Sequence, residues 1–256
     1  MLLAIDVGNT ETKLGCFDRS GDLTNTWRVT TELKRTPDEY GVFFTQLFAT
    51  GGLDRSAIDG VAIASVVPKL DPSLDDVCRR LFSVTPRFLE AHSQQLLPVL
   101  TEHPAESGAD LIAAAIGGRE RFGAPLIVVS YGTATVFVAI SAKGEYLGVA
   151  IAPGITISID ALIGRTAKLP QVALESPERV IGRTTTAALQ AGIVYGFAGQ
   201  TQAIVERMRA ELGARAKVVA TGGLAELFAR HAGVVDAVEP HLSLIGLRLF
   251  YESKRA

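Results

Sequence analysis

Leu3-Ala-Ile-Asp-Val-Gly-Asn-Thr10 and Ile127-Val-Val-Ser-Tyr-Gly-Thr-Ala-Thr135 decide how this chain folds, because the second segment repeats the first roughly halfway along the sequence. Each reads as an apolar strand, a glycine turn carrying hydroxyl side chains, and a second strand. The first copy continues to a polar turn at Ser20-Gly21-Asp22. The second continues through Val136 to Ile140 to a turn at Lys143-Gly144-Glu145. Self-similarity over such a span points to two related domains, here residues 1–117 and 118–256.

Outward from these segments, short runs rich in Val, Ile and Leu alternate with stretches of helical period, the pattern of strands covered by helices. Strands are expected at Leu2 to Ile5, Val61 to Val66, Leu126 to Val129 and Lys217 to Ala220. Helices are expected at Pro37 to Leu47, Leu111 to Phe122, Thr186 to Glu211 and Leu224 to Arg230. Proline and glycine separate them at Val67-Pro68, Ala152-Pro153-Gly154 and Gly222-Gly223. The class is α/β.

Glycine lets a backbone come close to a phosphate, and successive N–H groups beside Thr or Asn side chains form an anion-binding concavity. Two such turns facing each other would clasp a triphosphate. For either turn alone an ordinary hairpin connection is the stronger reading, since Asn and Gly are the commonest turn formers. A third element shifts the balance: Val218-Val-Ala-Thr-Gly-Gly-Leu224 is an apolar strand that ends in two glycines before a helical pattern. Ribose or adenine can approach the backbone at such a strand end.

The composition narrows the partners. A formal charge of −2, with basic residues scattered as in Arg79-Arg80 and Lys254-Arg255, gives no footprint for nucleic acid and favours a small polar ligand. Cys16 and Cys78 are too few for a disulfide framework, which suits a reducing cytoplasm. The opening Met-Leu-Leu-Ala-Ile reads as a strand rather than a targeting signal. No run approaches the roughly 18 to 20 apolar residues of a membrane helix, so a cytoplasmic protein without membrane contact is expected.

Seven segments in order carry a family likeness: Asp6-Val-Gly-Asn-Thr10 with Lys13, Ala64-Ser-Val-Val-Pro68, Gly108-Ala-Asp110, Gly132-Thr-Ala-Thr135, Ala150-Ile-Ala-Pro-Gly-Ile155, Gly182-Arg-Thr-Thr185 with Gly192 and Gly196, and Thr221-Gly-Gly223. The set resembles the type III pantothenate kinases, within the acetate kinase, hexokinase and actin superfamily. The resemblance implies two duplicated ribonuclease H-like (actin-like ATPase) domains with a nucleotide cleft between them. It implies transfer of phosphate from ATP to the primary hydroxyl of pantothenate, the first step of coenzyme A synthesis. Asp6 would hold Mg²⁺; Val7, Gly8, Asn9 and Thr10 would surround the phosphates, with Lys13 adding charge and Thr133 facing them from the second turn. Gly222 and Gly223 would lie at the adenosine. Asp110 would be the catalytic base, and Gly108, Ala109, Leu111 and Thr185 would line the acceptor. The resembling enzymes are homodimers paired through the second domain, and Thr186 to Glu211 offers an apolar stripe for this. By residue type alone, Asp6 also suits a turn, Lys13 a solvated hairpin position, Asp110 the N-cap of a helix from Leu111, and Gly182 to Thr185 a plain helix start.

Three positions depart from the family pattern. Leu111 replaces the arginine that follows the catalytic aspartate, a cationic fork suited to the acceptor's carboxylate. Ser130-Tyr131 replaces the Asp-Phe that opens the second phosphate motif, whose acid helps to hold a monovalent cation, K⁺ or NH₄⁺. A substrate-contacting tyrosine aligns with Thr101. The nucleotide side is better kept than the acceptor side. Two other readings therefore stand beside the kinase: a catalytically weak or silent regulatory homologue that binds nucleotide, and a kinase for another small hydroxy acid.

Overall fold

The computed structural model of the chain describes residues 1–213 and 215–253; the Lys254-Arg255 pair lies outside them. The first half contains β1 (Leu2–Val7), β2 (Glu11–Phe17), β3 (Leu23–Thr30), α1 (Pro37–Thr50), β4 (Gly60–Ser65), α2 (Asp71–Phe82), β5 (Arg87–Phe88) and α3 (Ala109–Phe122). The second contains β6 (Leu126–Tyr131), β7 (Ala134–Ile140), β8 (Tyr146–Pro153), α4 (Ile155–Gly164), α5 (Thr185–Leu212), β9 (Lys217–Thr221), α6 (Ala225–Ala232), β10 (Ala237–Val238) and α7 (Leu242–Ser253).

The duplication inferred from two short segments extends to whole sheets. One sheet runs β3-β2-β1-β4-β5 and the other, read in the same sense, β8-β7-β6-β9-β10. In both, the first three strands of the repeat form an antiparallel meander and the remaining two join parallel to its first strand. The polar turns match bond for bond. Asp18 N donates to Asp22 O and Gly21 N to Asp18 O; Ser141 N donates to Glu145 O and Gly144 N to Ser141 O. Gly21 and Gly144 both take the left-handed conformation, at φ 87° and 79°, where a side chain would be strained. A side-chain oxygen at the first position, of Asp18 or Ser141, accepts from the turn's backbone N–H groups in each.

Strand alternation assigns the faces of the first sheet. Leu3, Ile5, Val7, Val61 and Ile63 pack with Tyr40, Phe44 and Phe48 of α1 and Leu74, Val77 and Cys78 of α2 in one core. Helix α1 enters through a capping box in which Glu39 N donates to Thr36 Oγ1 and Thr36 N to Glu39 Oε2, followed by Pro37 in the first turn. The other face carries Ala4, Ala62 and Ala64, whose small side chains leave room for α7 to lie on β1 and β4. The core of the second unit joins Ile127, Val129, Tyr131 and Phe137 of the sheet to Ile155 and Ile159 of α4, Ile193 and Val205 of α5 and Phe228 of α6.

The compact units are Met1–Gly117 together with the segment from Leu242, and Gly118–His241. The sequence expectation places residues 118–256 together; in the structure α7 packs with the first unit. Two glycines explain this. A Cβ on Gly117 of α3 would run into Leu242 O and Gly246 N, and one on Gly246 into Ala113 O, so the two helices meet backbone to backbone. Tyr251 then covers Gly60, with Arg87 stacked on its ring at 4.5 Å and donating to its carbonyl at 3.1 Å.

This contact makes a test whose sign is informative. Alanine is ordinarily the better helix former by about 1 kcal/mol, so Gly199→Ala on exposed α5, where nothing meets the added methyl, raises stability. Gly246→Ala forces α3 and α7 apart and lowers it by about 2 kcal/mol or more, roughly 5 °C in Tm for a chain of this size. Calorimetric melting of the two variants measures both.

Candidate functional site

The first hairpin turn is braced from behind and open in front. Gly8 N donates to Glu11 O at 3.1 Å, and a Cβ on Gly8 would lie 2.9 Å from that same oxygen, so only glycine closes the turn. Thr31 anchors it: its Oγ1 donates to Gly8 O at 2.7 Å, its N to Thr10 O at 3.0 Å, and its hydroxyl meets that of Thr12 at 2.8 Å. Asn9 and Thr10 stay exposed. Beside the turn, Val66 N donates to Val7 O at 3.0 Å, which gives the Ala64-to-Pro68 segment its place at the end of β4.

One residue behind the turn lies a polar cluster. Asp6 is 5% exposed on the same face of β1 as Ala4, and Lys13 stands directly opposite it in the β1–β2 register, with Nζ 3.6 Å from Oδ2. Ser243, from the first turn of α7, donates its hydroxyl to the same Oδ2 at 2.6 Å. Asp110 completes the group. Burial of its carboxyl, and next the like charge of Asp6, push Asp110 up to about 6; its bond from Leu111 N at 2.9 Å and the positive charge of Lys13 oppose the shift without cancelling it.

Helix α3 starts at Ala109, so Asp110 lies inside the first turn and is not the N-cap of a helix from Leu111. The preceding glycine has a steric cause. A Cβ on Gly108 would fall 2.6 Å from Asp110 Oδ1 and 3.5 Å from a methyl of Val66. Gly108 thus clears space for the carboxyl group of Asp110.

The second unit assembles its motifs around the other hairpin turn. Gly132 N donates to Ala134 O at 3.1 Å, and the turn is one residue shorter than its counterpart. Gly154, at the N-cap of α4, is pressed against Thr133 O and Gly132 O, where a Cβ would collide. Gly222, at φ 97°, is pressed likewise against the backbone of Tyr131. Three separate sequence segments therefore meet at Gly132-Thr133, with Gly223 following in the turn into α6. The departure at Ser130-Tyr131 divides by strand parity. Tyr131 points into the core, stacked on Phe228, and its added hydroxyl is matched by Thr201 at 2.8 Å, which bonds in turn to Phe197 O. Ser130 faces the opposite way and lies between Val136 and Thr221.

Thr185 opens α5 and is exposed. Its neighbour Thr184 is the cap, accepting from Ala187 N at 3.1 Å, while Gly182 is held against the first turn by its contact with Ala188. The apolar stripe of α5 is spent internally, with Ala191, Ile193, Val194, Ala198 and Val205 buried. Sequence reading missed Ser243, although one serine in the apolar run Leu242-Ser-Leu-Ile-Gly-Leu-Arg-Leu-Phe250 is a visible anomaly.

A family profile described as type III pantothenate kinase matches residues 2–207. Proteins named type III pantothenate kinase from Anaeromyxobacter sp. (strain K) and Roseiflexus sp. (strain RS-1) are 48% and 49% identical over 255 and 256 residues, covering 100% of both chains in each case. One from Moorella thermoacetica is 49% identical over 98% of this chain and 99% of its own. Among solved structures, component A of (R)-2-hydroxyglutaryl-CoA dehydratase from Acidaminococcus fermentans covers 100% of this chain and 99% of its own at a TM-score of 0.54 and 13% identity. The activator of 2-hydroxyisocaproyl-CoA dehydratase from Clostridium difficile, with bound ADPNP, covers 99% and 96% at 0.53 and 13%. These distant structures share the fold alone, that of two ribonuclease H-like domains in actin-like ATPases. End-to-end identity near one half is of another order, and by it the chain belongs to the type III pantothenate kinase family.

Proposed function

We propose that the chain carries out its family's reaction, ATP-dependent phosphorylation of pantothenate to 4′-phosphopantothenate in coenzyme A synthesis, with Asp110 as the base. The observation that carries this assignment is the unequal setting of two neighbouring carboxyls. Asp6 is held by Lys13 and Ser243, whereas Asp110 is half-buried beside it, with its affinity for a proton raised by desolvation of the carboxyl and by the charge of Asp6. Phosphoryl transfer needs one group to orient the hydroxyl and accept its proton, and others to hold charge. Asp110 takes the first role. Gly8, Asn9, Thr10 and Lys13 from one hairpin, and Thr133, Gly222 and Gly223 from the other unit, serve the nucleotide, and Gly108 to Leu111 and Thr185 serve the acceptor.

Asp6 fits a divalent cation, and we assign Mg²⁺ to it. Its carboxylate is a hard oxygen donor, and among the described residues no group of three His, Cys, Asp or Glu side chains could hold a metal by itself. A cation here completes its shell with phosphate oxygens and water. When bound, it supplies charge to neutralise the transferring phosphoryl group. Ser130 offers a neutral hydroxyl where the family places an acid, so K⁺ or NH₄⁺ is held less strongly and supports the reaction less. Buried free thiols at Cys16 and Cys78, both pushed up to about 12 by burial, suit the cytoplasm as the place of work. No helix among the described residues is long and apolar enough to cross a membrane.

For the homodimer we assign a surface other than the stripe of α5. The stripe of α5 is already buried, while edge strand β8 exposes Leu147, Val149 and Ile151 on one face, and α4 of the same unit exposes Ile157 and Leu162. An edge strand with an apolar outer row is a liability unless another chain covers it. Ile151, at 68% exposure, is its most open member. Light scattering at micromolar concentration should give twice the chain mass for the wild type and the single mass for Ile151→Asp.

Release of ADP from ATP in the presence of pantothenate tests the reaction itself. Stabilisation by Mg-ATP without turnover would assign the silent nucleotide-binding reading, and turnover only with another small hydroxy acid the third. In Asp110→Asn, turnover should fall roughly 10²- to 10⁴-fold, the contribution of a positioned base. The base must be ionised, so the wild-type rate should rise with pH through about 6 and fall away below it; the residual rate of the variant should lack that limb. Stability runs the other way. A raised pKa favours the fold below the ordinary carboxylate value of about 4, and that contribution is lost as pH rises through the folded value. Asp110→Asn should therefore melt higher than wild type at pH 8, a gain in stability with a loss of rate. Unchanged turnover would remove Asp110 from the mechanism.

Leu111→Arg returns a cation beside the acceptor. It should lower KM for pantothenate by a factor of about 30, equivalent to roughly 2 kcal/mol for a charged hydrogen bond, with kcat little changed. Steady-state kinetics on the variant measures both constants.

A further inference from the structure

We infer that Ser243 is a positioning residue for the reaction: its hydroxyl, given from α7 to Oδ2 of Asp6, fixes that carboxylate so that Oδ1 is the oxygen turned toward the divalent cation on ATP. The inference rests on the assignment of the cation to Asp6. Its first support is the division of labour on one carboxylate. Both neighbours of Asp6, the hydroxyl at 2.6 Å and the ammonium at 3.6 Å, address the same oxygen, Oδ2. Among the described residues no side-chain bond to Oδ1 accompanies them, which leaves that oxygen for a ligand.

The second support is the cost of having a serine there. Ser243 is 6% exposed, between Leu242 and Leu244, which are buried completely or almost so. Alanine would fill the same space and is the better helix former, whereas a buried hydroxyl is unfavourable unless it is bonded. Packing alone gives no reason for the oxygen. Asp6 gives one, because a short bond to a carboxylate is strong and directional. The third support is rigidity. The backbone contact of Gly246 with Ala113, and of Gly117 with Leu242, fixes the start of α7, so the hydroxyl reaches Asp6 from a helix that cannot slide. A partner that orients a metal-binding carboxylate typically changes metal affinity or activity by about 10- to 100-fold when removed.

The test uses Mn²⁺ as a paramagnetic probe, bound to the full-length protein with the non-hydrolysable ATP analogue ADPNP and counted by electron paramagnetic resonance. Ser243→Ala should melt close to wild type and bind ADPNP equally well in EDTA, but hold Mn²⁺ about 10-fold or more weaker in the ternary complex. Ser243→Thr, which keeps the hydroxyl, should restore the affinity. In turnover assays the alanine variant should need more Mg²⁺ and approach the wild-type kcat when Mg²⁺ saturates. Asp6→Asn separates the two levels of the argument. If Asp6→Asn weakens Mn²⁺ and a well-folded Ser243→Ala does not, Ser243 is packing only and the inference fails by itself. If Asp6→Asn leaves Mn²⁺ binding unchanged, the cation assignment fails and the inference with it.

Discussion

Two glycines that face each other across a helix crossing set the terms for the rest of the first unit. Gly117 on α3 and Gly246 on α7 bring the two backbones into contact, a separation that no other residue pair allows. The crossing carries α7 onto the small-residue face of the sheet, over Ala4, Ala62 and Ala64, and its first turn arrives beside Asp6. Gly15 belongs to the same accommodation, since a Cβ there would lie 2.9 Å from a methyl of Leu244. Small side chains on the sheet and none at the crossing are thus one requirement written in several places along the sequence.

From that placement follows the asymmetry of the two acids. Asp6 has a lysine across the strand pair and a serine above it. Asp110 stands at a helix start, in a space kept clear by Gly108 and walled by Val66. The desolvation that raises the proton affinity of Asp110 also makes its charged form a cost to stability, so this carboxyl is kept against the fold's own preference.

Much of this was legible in the sequence, and the parts that were not have physical reasons. The two hairpins were readable because turn chemistry is local: Gly8 and Gly132 close turns that other residues cannot, within a few positions of the strands they join. Gly154 and Gly222 were readable as breaks between elements, but not for their packing, since each meets the backbone of a turn distant in sequence. Helix α7 escaped notice because it is apolar around most of its surface, which blurs the 3.6-residue period used to find helices. With it went Ser243, whose meaning depends on a contact with a residue at the far end of the chain. The stripe on α5 was read correctly as apolar and wrongly as external, because period shows that a face is buried and not what buries it.

The docking of α7 on the first sheet also governs the order in which the site can come into being. Asp6 and Ser243 are 237 positions apart, and contacts of such separation form late because a long loop must close before they are gained. On the ribosome, β1, β2 and β4 emerge early and wait with one face uncovered while the whole of the second unit is made. A chain stopped short of α7 would carry both hairpin turns and Asp110, yet lack the helix that covers Ala4 and bonds Asp6 through Ser243. Completion of synthesis is therefore coupled to completion of the polar cluster around Asp6.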